Sequence, residues 1–146
     1  TAKPSKPSAE MVSLWFQSFD NLLHDKTGLD LFREYLRLEF SEENLEFWIA
    51  CEQYKTCPTH ELAQQSQQIF ADYVAIQAPR EINLDSKTRD EVYKRISKPD
   101  KKTFEDAQYR IQALMAKDSY PRFMSSEFLK KWLAQFKIKI NQSQKK

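Results

Sequence analysis

Apolar residues recur at three- and four-residue intervals along most of this chain, and no stretch alternates apolar and polar positions for long. That period belongs to amphipathic helices. The first predicted helix covers residues 10–23, with Leu14, Trp15, Phe19, Leu22 and Leu23 facing inward. Thr27-Gly28 separates it from a second helix over 29–39, which buries Leu31, Phe32, Tyr35 and Leu36. Ser41 reads as the N-cap of a third helix reaching Lys55, with Glu42 and Glu43 in the first turn, where the helix dipole favours acids. A fourth helix spans 60–74, with Leu62, Ile69, Phe70 and Tyr73 as its apolar face. Pro79 opens a loop that ends where Asp85 or Ser86 caps a fifth helix running to Ile96. Thr103 is the expected cap of a sixth, whose apolar face is Phe104, Ala107, Ile111, Leu114 and Met115. Ser119-Tyr120-Pro121 interrupts that helix near Asp118, and Pro121 suits the first position of a short new turn. Ser126 caps a last helix over 127–136. The expectation is an all-α fold of seven to nine helices, led by a loose Pro-rich segment at 1–9 and followed by a polar tail at 137–146.

Composition sharpens this picture. A single Gly among 146 residues argues against doubly wound and all-β folds and against a phosphate-cradling loop. With 13% aromatic and 30% charged residues the chain is globular, and at this length it supports one core without staples. A net charge of +2 is too small for a bulk electrostatic attraction to nucleic acid. The cluster Lys94, Arg95, Lys98, Lys101 and Lys102 reads as a solvated face. Cys51 and Cys57 lack metal-ligand spacing with any His pair and read as reduced thiols of a cytosolic protein; Cys51 falls among apolar helix positions. His24 and His60 read as surface residues, and no catalytic or metal-binding set of side chains emerges.

Three segments carry the functional signal. Glu39-Phe40-Ser41-Glu42-Glu43-Asn44 opens an unusually aromatic helix, and its Asn44 is a poor helix former placed beside Leu45, Phe47 and Trp48. Asn83-Leu84-Asp85 lies in the Pro-led loop. Leu114, Asp118, Ser119, Tyr120, Arg122 and Phe123 fall in one ten-residue segment. Each has a bland reading: a helix start, a turn asparagine, and an ion pair between Asp118 and Arg122 of little worth if exposed. In order and spacing, however, the three together resemble the regulator of G-protein signalling (RGS) domain, over roughly Trp15 to Leu133.

The resemblance implies about nine helices in two subdomains, one of them an antiparallel four-helix bundle, with the domain over residues 10–136. It implies a GTPase activator for heterotrimeric Gα subunits that is not itself an enzyme and needs no cofactor or metal. The implied partner is a Gα subunit of the Gi or Gq class, GTP-bound or in its transition state. It also implies a monomer in the cytoplasm, recruited to the inner face of the plasma membrane with peripheral contact at most. The residues implied in Gα binding are Glu39, Phe40, Ser41, Glu43, Asn44, Asn83, Leu84, Asp85, Leu114, Asp118, Ser119 and Arg122. Among them, Asn83 is the residue the family sets nearest the water-positioning Gln of Gα. Asp118 accepts a hydrogen bond from a switch-segment Thr, and Arg122 holds Asp118 in place. Ala116 stands where many relatives carry an acid, a difference expected to tune partner choice. The competing readings are an RGS-like scaffold without GTPase activation, a helical nucleic-acid binder, and a hydrolytic or metal enzyme. Scaffold relatives usually lose the contact Asn or Asp, whereas Asn44, Asn83, Asp118 and Arg122 are all present here.

Overall fold

The computed structural model describes residues 7–138. Among them the chain forms nine α-helices and no strand. These divide between two compact units, 7–40 with 116–138 and 41–115. Residues 139–146 of the expected tail and 1–6 of the expected N-terminal lead fall outside the described residues.

The first unit holds α1 (Ala9–Gln17), α2 (Phe19–Leu23) and α3 (Lys26–Leu38), together with α8 (Ser119–Met124) and α9 (Glu127–Ala134). The single helix expected over 10–23 is therefore two. Ser18 is extended at φ −158° and its side chain accepts from Asn21 N, so it ends α1 and caps α2. The break changes the helix phase and leaves Leu14, expected inside, exposed. Gly28 is likewise not a separator. Asp25 caps α3 by accepting from Gly28 N at 2.8 Å, and Gly28 sits buried inside the helix. A Cβ at Gly28 would lie 2.8 Å from Leu22 Cδ1 and 2.9 Å from Trp15 Nε1, so the glycine is there for close approach. The same Asp25 carboxylate accepts from Trp15 Nε1 at 3.0 Å. Around this clamp Phe19 meets Phe32 edge-on at 5.5 Å, Phe32 meets Phe123 at 5.3 Å, and Tyr120 donates to the Trp15 carbonyl.

The second unit holds α4 (Glu43–Thr56), α5 (Leu62–Ile69), α6 (Ser86–Ile96) and most of α7 (Glu105–Lys117). The helix expected over 60–74 is composite: a 3₁₀ turn at Thr59–Glu61, then α5, then a π turn at Phe70–Val74 in which Ala75 N donates to Phe70 O. Phe47 lies at the centre of this unit, 5.8 Å from the Tyr73 ring and edge-on to Phe104. Trp48 is buried, and its indole N–H donates to Gln112 Oε1 at 2.8 Å, which satisfies the polar end of a core residue. Thr103, expected to cap α7, instead closes the turn before it, accepting from Asp100 N and donating to Asp100 O. Leu114 is 38% exposed and so does not share the buried face of Ile111 and Met115.

Candidate functional site

Each unit carries its own share of the residues singled out above. In the first unit, α3 ends at Leu38 with Glu39 as its C-cap, and Phe40 follows with φ 57° and 90% of its surface exposed. A bulky L-residue in the left-handed region is strained, and an aromatic ring left in water adds to the cost. On the other side, α7 ends at Lys117, Asp118 makes no side-chain cap to α8, and Ser119 begins that helix half-buried. Arg122 joins the two strands of chain. One guanidinium nitrogen pairs with Asp118 Oδ2 at 2.6 Å and another with Glu39 Oε1 at 2.8 Å. Tyr35 Oη in turn donates to Glu39 Oε2 at 2.7 Å. These hydrogen bonds, to Glu39 first and to Asp118 second, push the Arg122 pKa above its ordinary value. Burial, with Glu39 adding to it, raises the Tyr35 hydroxyl. The expected pair is thus a four-residue network. Glu39 and Arg122 are 83 positions apart, and nothing in the local pattern announces their meeting.

In the second unit Ser41 is not a cap. The N-cap of α4 is Glu42, already at helical φ −81° and ψ −6° and without a side-chain capping bond. An N-cap oxygen reaches the N–H two or three residues on only from an extended backbone one residue before the helix, and Ser41 lies one position too early. The consequence is unusual. Ser41 Oγ, Glu42 Oε2 and Asn44 Oδ1 are all buried and all lack a hydrogen-bond partner. Three such atoms within four residues are costly, at about 1–3 kcal/mol each, and mark the start of α4 as a place where stability is given up. Glu42 was absent from the expected contacts, and the Glu-Glu pair in the motif was the only hint of it.

The loop after the π turn carries Asn83 exposed between buried Ile82 and Leu84, with Leu84 N donating to Ile82 O at 3.0 Å to close a three-residue turn around it. Asp85 caps α6: Thr88 N and Thr88 Oγ1 donate to its two carboxylate oxygens at 3.1 and 2.7 Å. The Thr88 hydroxyl first and its N–H second hold the Asp85 carboxyl below the usual range. Asp85 and Leu84 are therefore engaged within the free chain, whereas Asn83 and Leu114 present accessible side chains. Among the described residues no group of three or more His, Cys, Asp or Glu is placed to hold a metal ion, and no helix is long and apolar enough to cross a membrane.

The start of α4 thus combines three unsatisfied buried oxygens with an exposed aromatic of positive φ just before it. The family model described as the regulator of G protein signaling domain matches residues 18–132. The chain is 45% identical over 130 residues to Regulator of G-protein signaling 19 of Rattus norvegicus, covering 88% of this chain and 60% of that protein. It is 47% identical over 130 residues to Regulator of G-protein signaling 5 of Mus musculus, covering 88% of this chain and 72% of that one. It is also 45% identical over 139 residues to Regulator of G-protein signaling rgs-1 of Caenorhabditis elegans. The chain belongs to the regulator of G protein signaling domain family.

Proposed function

We propose that residues 10–136 act as a GTPase activator for heterotrimeric Gα subunits, shortening the lifetime of the GTP-bound state and so ending the signal. The observation that carries this reading is the family match over residues 18–132; the unsatisfied oxygens on Ser41, Glu42 and Asn44 agree with it, since a local rearrangement on docking would expose them to backbone N–H and hydroxyl donors of the switch segments. Gα carries its transition-state Arg in cis, so a helper need not insert an arginine finger. It acts instead by holding mobile switch segments in the geometry that positions the attacking water.

Such help is differential binding. A gain of ~100-fold in rate requires roughly 2.7 kcal/mol more affinity for the transition-state form than for the GTP form. One or two charge-assisted hydrogen bonds at about 1.5–3 kcal/mol each supply that. Asn83 is assigned to the neighbourhood of the water-positioning Gln, and Asn44 and Asp118 to the switch segments. Arg122 acts by orienting Asp118, while Glu39, Phe40, Ser41, Glu43, Leu84, Asp85, Leu114 and Ser119 complete the contacts. None performs acid–base or nucleophilic chemistry, so the enzyme of the pair is Gα. The proposed partners are Gi- and Gq-class subunits, met by a monomer in the cytoplasm at the inner face of the plasma membrane.

The test is single-turnover GTP hydrolysis by a panel of purified Gα subunits with and without this chain. Acceleration of at least one of them supports the reading. No acceleration of any, alongside measurable binding, leaves the scaffold reading in its place.

A further inference from the structure

We propose that Arg89, acting through Glu81, is a positioning residue for Asn83. The proposal rests on the reading of Asn83 as a Gα contact.

Arg89 lies in the second turn of α6, and its side chain is 15% exposed. Its Nε donates to the carbonyl of Val74, the last residue of the π turn, at 2.8 Å. A terminal guanidinium nitrogen donates to Glu81 Oε2 at 3.1 Å. The other Glu81 oxygen accepts from Gln77 N at 3.1 Å. Gln77 has φ 64°, a left-handed conformation that costs any L-residue with a side chain, so it persists where its surroundings hold it. One guanidinium therefore grips the start of the loop directly and its middle through a carboxylate. That carboxylate pins the loop's one strained residue.

The backbone carries the constraint the rest of the way. Arg80 N donates to Asp72 O at 3.0 Å and Ile82 N to Tyr73 O at 2.9 Å, so the residues flanking Glu81 are tied to the π turn. Ile82 and Leu84 are buried, and Asn83 is left pointing out of the turn they close. Asp85 then starts the helix that carries Arg89. The planar fork of Arg89 meets two acceptors at once, which a lysine ammonium on a flexible stem does less well. A loop held in this way delivers Asn83 to a partner without the entropic cost of ordering it on contact.

The test uses the full chain with two readouts: affinity for Gα loaded with GDP, aluminium fluoride and Mg²⁺, and the melting temperature. Arg89→Ala and Glu81→Ala are each expected to weaken affinity by roughly 3- to 10-fold while the far-ultraviolet circular dichroism stays native. Glu81→Gln keeps one acceptor oxygen but turns an amide N–H toward the other donor, so it is expected to restore part of the affinity that Glu81→Ala loses. This pair keeps the test intact where Arg89→Ala folds poorly. In an Asn83→Ala background the affinity effects of Arg89→Ala and Glu81→Ala are expected to vanish, because residues serving one contact are not additive, while their effects on melting remain. Native affinity in the folded variants, or an undiminished loss in the Asn83→Ala background, overturns the proposal. Wild-type affinity of Asn83→Ala alone overturns the reading of the site beneath it, and the proposal with it.

Discussion

Arg122→Ala separates a structural from a functional account of the network that joins α3 to α8. The change removes the guanidinium from between Glu39 and Asp118. The Arg122 side chain is 42% exposed and that of Asp118 67%, so solvent screens both pairs. Exposed pairs contribute about 0–1 kcal/mol each, and two of them set a ceiling of about 2 kcal/mol, or a fall of at most ~4–8 °C in melting temperature. The functional effect is expected to be larger. If Asp118 accepts a charge-assisted hydrogen bond from Gα, losing its orientation forfeits about 1.5–3 kcal/mol, which is roughly 10- to 150-fold in affinity. Binding to Gα in the aluminium fluoride state, measured by titration calorimetry on protein shown to be folded, reads this directly. Asp118→Ala is expected to match it, and the double variant to be little worse than either single one. Arg122→Lys rescues poorly, because one ammonium does not present a fork to two carboxylates. Folded Arg122→Ala with wild-type affinity would mean that Asp118 takes no part in Gα binding and that the network is an ordinary surface ion pair.

Gly28→Ala places a methyl against the buried Trp15 ring, which is held by Asp25 and cannot retreat. Overpacking at about 1–3 kcal/mol outweighs a gain of ~1 kcal/mol in helix propensity, so urea denaturation is expected to show net destabilisation. Asp85→Ala lowers the melting temperature at pH 7 by removing the α6 cap. Because the folded-state pKa of Asp85 is depressed, its stabilisation is present above the unfolded value of about 3.9 and lost as pH falls through the folded one. The gap between variant and wild type is therefore expected to close below about pH 4 in acid melts. Cys51 is buried and burial raises its thiol pKa, whereas Cys57 is half-buried. A thiol reagent at neutral pH is expected to modify Cys57 in the native protein and Cys51 only after unfolding. Two thiols reacting at equal rates in the native state would contradict the packing around Cys51.

The helical class and most helix positions were legible because the apolar period is strong and the caps at Asp85 and Ser126 are conventional. What escaped was local geometry set by tertiary demand. Ser18 splits a helix whose apolar pattern runs on across it, and the split turns Leu14 outward. Gly28 looked like punctuation, but its role depends on Trp15, thirteen positions earlier, crossing directly over it. The π turn at Phe70–Val74 inserts a residue without changing the composition that sequence patterns report. At the site, the motif residues were legible as a set through their resemblance. The network from Tyr35 through Glu39 and Arg122 to Asp118, and the unsatisfied oxygen of Glu42, are products of long-range folding that neighbouring residues do not encode.

The central claim is that the domain binds the transition state for GTP hydrolysis better than the states on either side. The direct measurement is its affinity for one Gα subunit in three nucleotide states: GDP alone, a non-hydrolysable GTP analogue, and GDP with aluminium fluoride and Mg²⁺. The tightest binding is expected to the aluminium fluoride state, with the GTP analogue intermediate and GDP weakest. The first two should differ by enough to account for the acceleration measured on the same subunit, so that ~100-fold in rate corresponds to ~100-fold in affinity. Equal affinity for all three would contradict the claim, because uniform binding leaves the chemical step unchanged.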